Sequence, residues 1–426
     1  FCTNLLSIEN LPATLTEIGG YCFEASQLNG IDLSQTGLTT LPDGCFYNCS
    51  KLEGIVMPNK TLTYLGEKAF YGNTSLKSID LTNSSFDILR NGTFEGCSSL
   101  SNVVLPLSLK NIWGTVFKNC TSLRNIIFPD GIYGIYEHAF DNTGLESVVI
   151  PGSVGSFGEG TFYNCSKLQT VVNNSKAELT YLLFRDSAIK DLYITSSEAV
   201  KMKAWYFVAD GATLHVTPSL VETYENALQE KGMKDCTVNS DFPITLGSDY
   251  ATFSSAFNLD FSAAEGLIAY KGGVDADKST VTLTQVSKVP ANNGVVLKGE
   301  AGRTYTAKIL DPENIDFSDN QIQASVDGTY LTQSTDYVLS KVDGIYAFRP
   351  ISKLGYLRPG VAYLPLPDGA SAKVLSFAFD NTPTGISSIT TVNAQNEGAY
   401  YTLDGVKMSK PAKGFYIHNG KKYFNK

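Results

Sequence analysis

The side chains able to do chemistry are few and scattered along the chain. Histidine occurs three times, at His138, His215 and His418. These fall in three separate stretches, so neither a Ser-His-Asp nor a Cys-His site is brought together by chain order. Eight cysteines raise the question of disulfides or a metal centre. No two of them share a Cys-x-x-Cys spacing, which removes the usual zinc signature. Asp275 with Asp277, and the group Asp311, Glu313, Asp316 and Asp319, lack the spacing of a calcium loop and read as solvated turns. The glycine-rich run Gly152-Ser153-Val154-Gly155-Ser156-Phe157-Gly158-Glu159-Gly160 contains no Gly-Lys-Ser/Thr and no strand-to-helix context for a phosphate loop. No metal and no cofactor are expected. The chain reads as a binding protein, not an enzyme.

Composition bounds the partners. The 426 residues are 43% hydrophobic and 18% charged, an ordinary globular balance with material for more than one domain. The formal net charge is -9, and the only adjacent basic pair that stands out is Lys421-Lys422 near the end. Nucleic acid and anionic membrane surfaces, both of which select for basic patches, are therefore not expected partners. No apolar run approaches the roughly 18 residues of a membrane helix. Phe1-Cys2-Thr3-Asn4 has neither a basic nor an apolar leader region, and already looks like the middle of a repeat.

That repeat dominates the first half. Phe23, Phe46, Phe70, Phe94, Phe117, Phe140, Phe162 and Phe184 recur at spacings of 22 to 24 residues. Around each lies the same frame, as in Val103-Val104-Leu105-Pro106, Leu109, Ile112, Val116-Phe117, Cys120 and Leu123. One such coil cannot bury its apolar positions, but stacked coils bury them against each other. The short apolar segments 31–33, 55–57, 79–81, 103–105, 126–128, 148–150, 171–173 and 192–194 are expected strands of one parallel sheet. The proline after several of them ends the ladder. Ser219 with Glu222, followed by Leu220, Tyr224, Leu228 and Gly232, predicts a capping box and a capping helix near 219–231.

The frame explains the cysteines. Cys49, Cys97, Cys120 and Cys165 stand three residues after the repeat phenylalanine, where other coils carry Ser26, Asn73 and Thr143. That is a buried small-residue column, in which cysteine acts as a small hydrophobe. Free thiols are expected, although Cys97 and Cys120 lie in neighbouring coils and a bridge between them is conceivable by distance. Asp32 and Asp80 sit on strands two coils apart, roughly 9–10 Å, at the upper end of the inverting-glycosidase range. Only Val56 stands between them, and no cleft is implied.

The pattern Ile-x-Leu-Pro, then Leu-x-x-Ile-Gly-x-x-Ala-Phe-x-x-Cys-x-x-Leu, resembles the BspA-like class of leucine-rich repeats, found in secreted proteins of Bacteroidetes and other host-associated microbes. It covers about residues 1–238. The resemblance implies a secreted or cell-surface location and, for some members, adhesion to host matrix proteins.

From about Asp241 the period is lost. Short β-branched and aromatic runs such as 280–284, 294–297 and 373–377 alternate with the turn signals Asp327-Gly328, Asp343-Gly344 and Asp368-Gly369. Residues 241–381 are expected to form an antiparallel all-β domain, and 382–398 a linker. Residues 249–254 with 289–299 resemble a β-domain that follows such repeats in Bacteroidetes proteins. The segment 399–426, a C-terminal β-hairpin, is similar to type IX sorting tails but shorter.

The candidate binding surface is the outward middle position of each sheet strand: Asp32, Val56, Asp80, Val104, Ile127, Val149, Val172 and Tyr193. From Val104 onward it is wholly apolar. Uncovered, Val104, Ile127, Val149, Val172 and Tyr193 form a stripe of the kind that marks an interaction site; alternatively a neighbouring segment covers them. The reading is a non-catalytic, adhesin-like binding protein whose solenoid takes an extracellular protein, host matrix or microbial surface. The alternative is a glycan-binding component of a surface uptake system. Glycan sites need exposed stacking rings, for which there are Trp113, Trp205 and 23 tyrosines, including Tyr47, Tyr71 and Tyr163.

Overall fold

A computed structural model describes residues 3–203, 211–233, 235–274, 280–331, 336–351, 355–366 and 374–380, together with the strands Tyr400–Tyr401, Lys407–Met408, Gly414–His418 and Lys421–Asn425. The predicted linker 382–398, Trp205, Asp275, Asp277 and Asp368-Gly369 lie outside these.

Each coil of the solenoid turns on a residue in the left-handed backbone region. Asn48, Asn119, Asn142 and Asn164 hold φ of 57°, 63°, 54° and 55°, and Gly72 and Gly96 hold 71° and 77° in the same column. Asparagine and glycine tolerate that conformation better than other residues. The asparagines also bond along the column, Asn142 Nδ2 donating to Asn119 Oδ1 at 2.9 Å.

Inside the turn the phenylalanines form a continuous ladder. From Phe23 to Phe184, successive ring centroids are 5.1–5.5 Å apart and 7–21° from parallel. From Phe46 to Phe184 all of them are fully buried. Along the face carrying the predicted strands, parallel pairing joins Gly30–Asp32 to Gly54–Val56 and Ser78–Asp80 to Asn102–Val104. It then resumes across Ser147–Ile150, Thr170–Asn173, Asp191–Ile194, Thr213–His215 and Thr237–Asn239. Ile126-Ile127-Phe128 adopts no strand. A second parallel ladder, not read from the sequence, runs along another side through Ile88–Leu89, Asn111–Ile112, Gly134–Ile135 and Ser156–Phe157.

The cysteine column ties coil to coil. Cys49, Cys97, Cys120 and Cys165 each donate Sγ–H to the carbonyl of a phenylalanine in the preceding coil, at 2.9, 3.0, 3.2 and 3.1 Å. These four are free, fully buried thiols. Burial pushes Cys97 up to about 12 and Cys165 up to about 11, so they carry little thiolate to react. Asn73 occupies the same column at 0% exposure, yet neither Oδ1 nor Nδ2 finds a partner. An orphaned buried amide costs about 1–3 kcal/mol. Asn73→Cys is therefore expected to raise the unfolding free energy by about that amount, measured by urea titration. An unchanged midpoint would mean that the amide is satisfied.

The helix Val221–Glu230 buries Tyr224 and Leu228 and stops at Gly232, φ 73°. The expected capping box does not form: the helix has no side-chain cap at its own N-cap, Leu220. Instead Asp311, more than ninety residues on, accepts the Ser219 N–H at 2.9 Å. The helix is also not the end of the stack, because Thr237–Asn239 adds one more parallel strand after it.

After Ser240 the chain passes directly into the strand Asp241–Thr245, which pairs antiparallel with Thr304–Lys308. A four-stranded sheet, a larger one and the two-stranded pair of Thr329–Leu331 with Gly355–Leu357 make up the β-domain. Pairing is antiparallel, except that Thr280–Leu283 runs parallel to Ser376–Phe379. Reciprocal bonds between Phe348 and Leu375, at 3.1 and 2.9 Å, join the two ends of the larger sheet. Asp343-Gly344, φ 51° and 80°, makes the expected two-residue hairpin between Asp336–Val342 and Ile345–Pro350. Asp327-Gly328 does not make a hairpin, because the strands flanking it pair elsewhere. Asp327 instead reaches the solenoid, accepting from the Asn174 side chain and the Gly152 N–H. Burial raises its carboxyl against those bonds. Residues 381–426 form a separate unit, in which Gly414–His418 and Lys421–Asn425 pair antiparallel.

Candidate binding cleft

The β-domain folds back onto the row of outward strand residues and divides it. Asp32, Val56 and Asp80 remain exposed. Val172 and Tyr193 pack into the core of the β-domain with Ile244, Phe253 and Phe257. Tyr193 is 6% exposed, its ring 5.1 Å from Phe242. The next member of the row, His215, is buried and stacks on Tyr193 at 4.3 Å. Its Nε2 lies 2.9 Å from Asp191 Oδ1 and its Nδ1 2.6 Å from the Asp241 carbonyl. The Tyr193 hydroxyl is pushed up by burial and then by Asp191.

Between the exposed and the covered parts lie Val104, Ile127 and Val149, each half-buried. They form the floor of a cleft of about 680 Å³, whose roof is Ile244, Leu246, Ala251 and Phe253 of the β-domain. Arg358 at its edge is the only charged side chain in the lining. The polar side chains of Asn102, Asn125, Ser147, Thr245 and Thr252 also line it, and an apolar floor edged by polar groups at this volume is what binding sites offer. The roof was invisible in the sequence reading. Ile244-Thr245-Leu246 and Ala251-Thr252-Phe253 alternate as any half-buried strand does, and nothing local says that they face the solenoid.

The other candidates have structural roles. Asp32 accepts the Ser34 N–H at 2.8 Å, and the Ser34 bonds lower its carboxyl. Asp80 accepts from Thr82, so each carboxylate is committed to its own turn. Glu313 pairs with Lys288 at 2.8 Å, Asp319 with Lys271 at 2.7 Å, and Asp316 accepts from Ser318. His138 Nδ1 lies 3.1 Å from Asp141. Gly158 sits where a Cβ would fall 2.2 Å from the Glu137 nitrogen, an ordinary close packing of coils. Tyr47 and Tyr71 stack on each other at 4.8 Å, and Arg90 lies over both Tyr64 and Trp113, at 4.6 and 5.6 Å. Those ring faces are already occupied.

The comparisons agree with the geometry of the coils. The family described as BspA type leucine rich repeat region matches residues 1–100 and 87–210, with 6 copies. The solenoid is built of BspA-type leucine-rich repeats. Among solved structures, the BspA-type solenoid is similar to the pneumococcal vaccine antigen PcpA, at 17% identity and TM-score 0.36, over 51% of this chain and 69% of that one. It is similar to a leucine-rich repeat protein of T. pallidum, at 21% and 0.32, over 54% of this chain and all of that one. A third likeness is a leucine-rich repeat protein from Bacteroides ovatus, at 23% and 0.33, over 48% and 61%. No curated protein matches the chain in sequence. No helix among the described residues is long and apolar enough to cross a membrane.

Proposed function

We propose that this is a non-catalytic, secreted or cell-surface binding protein of adhesin-like type. The cleft between the BspA-type solenoid and the β-domain seats a segment of a host or microbial protein. The observation that carries this reading is the half-buried apolar row Val104, Ile127, Val149, held open under an apolar roof in one cleft. Elsewhere along the same face the apolar positions Val172 and Tyr193 are closed by the β-domain. An apolar floor left open beside a closed one supports binding more than packing. Glycans are the less favoured ligand, because Trp113, Tyr64, Tyr47 and Tyr71 each spend a ring face on a neighbour and the exposed Tyr21, Tyr133 and Tyr181 lie outside the lining of the cleft.

The test is binding of the full chain to immobilised extracellular matrix proteins and to a glycan array. Val104→Asp, Ile127→Asp and Val149→Asp are combined in a variant checked for an unchanged circular dichroism spectrum. Three carboxylates on the apolar floor, with one cation, Arg358, in the lining, oppose docking of an apolar segment, so protein binding is expected to fall at least about 100-fold. Protein binding untouched by the triple variant, or binding to glycans alone, sinks the cleft as the site.

A further inference from the structure

We propose a second binding point in the β-domain: a slot between two strand edges that takes an extended acidic peptide as an added strand. The edges follow from the hydrogen-bond register. In the hairpin of Asp336–Val342 with Ile345–Pro350, Val342 faces Ile345 across a two-residue turn. Antiparallel alternation then turns the N–H and C=O of Tyr337, Leu339 and Lys341 away from their partner strand. The partner strand shows the same alternation, since Phe348, opposite Leu339, bonds outward to Leu375. Tyr337 is met on its outer side by Leu364. Among the described residues, no strand meets Leu339 or Lys341 there.

The facing edge is the strand Tyr250–Ser255, paired on one side with Asn293–Lys298. The Ser254 N–H donates the other way, to the Gly360 carbonyl, so two residues earlier Thr252 also points its N–H and C=O outward. Thr252, Leu339 and Lys341 line one groove of about 290 Å³. Two unpaired edges across a groove are the geometry of strand addition, in which the incoming backbone supplies the missing bonds.

Charge selects the occupant. The groove's charged lining residues are Lys341 and Arg358, with no carboxylate, in a chain of net charge -9. Both are exposed, and no ion pair among the described residues includes either. Lys341 Nζ rests 4.8 Å from the Tyr346 ring centroid, which leaves its charge unneutralised. A strand carrying glutamates or aspartates at alternate positions meets these two cations while its backbone pairs with Thr252 and Leu339. The slot adjoins the solenoid cleft and shares Ala251, Thr252, Arg358 and Val361 with it, whereas Leu339 and Lys341 line the slot and not the cleft, so Lys341→Glu tests the slot separately.

The probe is a fluorescein-labelled seven-residue peptide of alternating glutamate and valine, with the lysine–valine peptide as its control. Anisotropy is read on the full chain, and amide hydrogen exchange with and without the peptide. Saturable binding of the acidic peptide alone is expected. It should weaken about tenfold in Lys341→Glu, as one reversed surface charge contact implies. The amides of Thr252, Leu339 and Lys341 should exchange at least about tenfold more slowly when the peptide is bound. The Val104, Ile127 and Val149 triple variant should bind it unchanged. No saturable binding, equal binding of both peptides, or exchange unchanged at those three amides overturns the slot. Loss of peptide binding in the triple variant, with Lys341→Glu unaffected, also overturns it and assigns the peptide to the solenoid cleft.

Discussion

Phe117→Ala is expected to lower the unfolding free energy by about 3–5 kcal/mol, the cost of emptying a fully buried aromatic site. Phe117 lies 5.5 Å from Phe94 and 5.1 Å from Phe140, so its loss also removes two stacked pairs at about 0.5–1.5 kcal/mol each. Relaxation cannot recover much of this. The coils above and below are held by the Cys120 and Cys165 bonds to the Phe94 and Phe140 carbonyls, and a coil cannot slide inward without breaking them. In a solenoid, stability is a chain of nearest-neighbour contacts. A break in the middle should therefore split the urea transition, with coils on either side of Phe117 melting separately. Phe117→Leu, which keeps most of the volume, should cost no more than about 1.5 kcal/mol and leave a single transition. A single, barely shifted transition for the alanine variant would show that the coils repack around the gap.

Tyr193→Ala is expected to cost on the order of 3 kcal/mol, and its functional effect should be larger than its structural one. Tyr193 belongs to the solenoid by sequence and to the β-domain by packing. Removing it uncovers His215, whose ring it stacks on, and leaves Phe242 only its contacts with Phe253 and Phe257 inside the β-domain. The β-domain should then swing on its remaining contacts, including the Asp311 bond to Ser219 and the Asp327 contact with Asn174. With the roof displaced, binding in the cleft should fall although Val104, Ile127 and Val149 are intact. Limited proteolysis near Ser240 would report the loosened junction, and the same matrix-protein assay would report binding. Undiminished binding in a variant that is cut faster near Ser240 would mean that the roof is dispensable.

What the sequence made legible was whatever repeats. The phenylalanine column, the small-residue column of Cys49, Cys97, Cys120 and Cys165, and the apolar strand centres such as Ile79 and Val148 each recur eight or so times. A recurring burial requirement is easy to see. The second ladder was missed because its strands are two residues long, and pairs such as Asn111–Ile112 and Ser156–Phe157 carry no periodicity. Ser219 and Glu222 have the spacing of a capping box, but Asp311, just past the end of the strand Thr304–Leu310, takes the Ser219 N–H instead. Asp327-Gly328 has the composition of a hairpin turn, and its flanking strands found other partners. The cleft was half legible. Its floor follows from strand alternation, whereas its roof follows from how the β-domain docks, a contact between residues such as Tyr193 and Phe242 that no local pattern encodes.

The direct passage from the last solenoid strand into the β-domain constrains how such a protein can lengthen over evolutionary time. Duplicating a coil upstream of Asn102 would extend a free arm and leave Val172, Tyr193 and His215 opposite Phe242. Duplicating one between Ser147 and Asn239 would carry that seat one coil away from its counterpart and bring a foreign side chain beneath the roof. Variation in coil number should therefore accumulate on one side of the cleft only, so that reach can change while the grip is inherited intact.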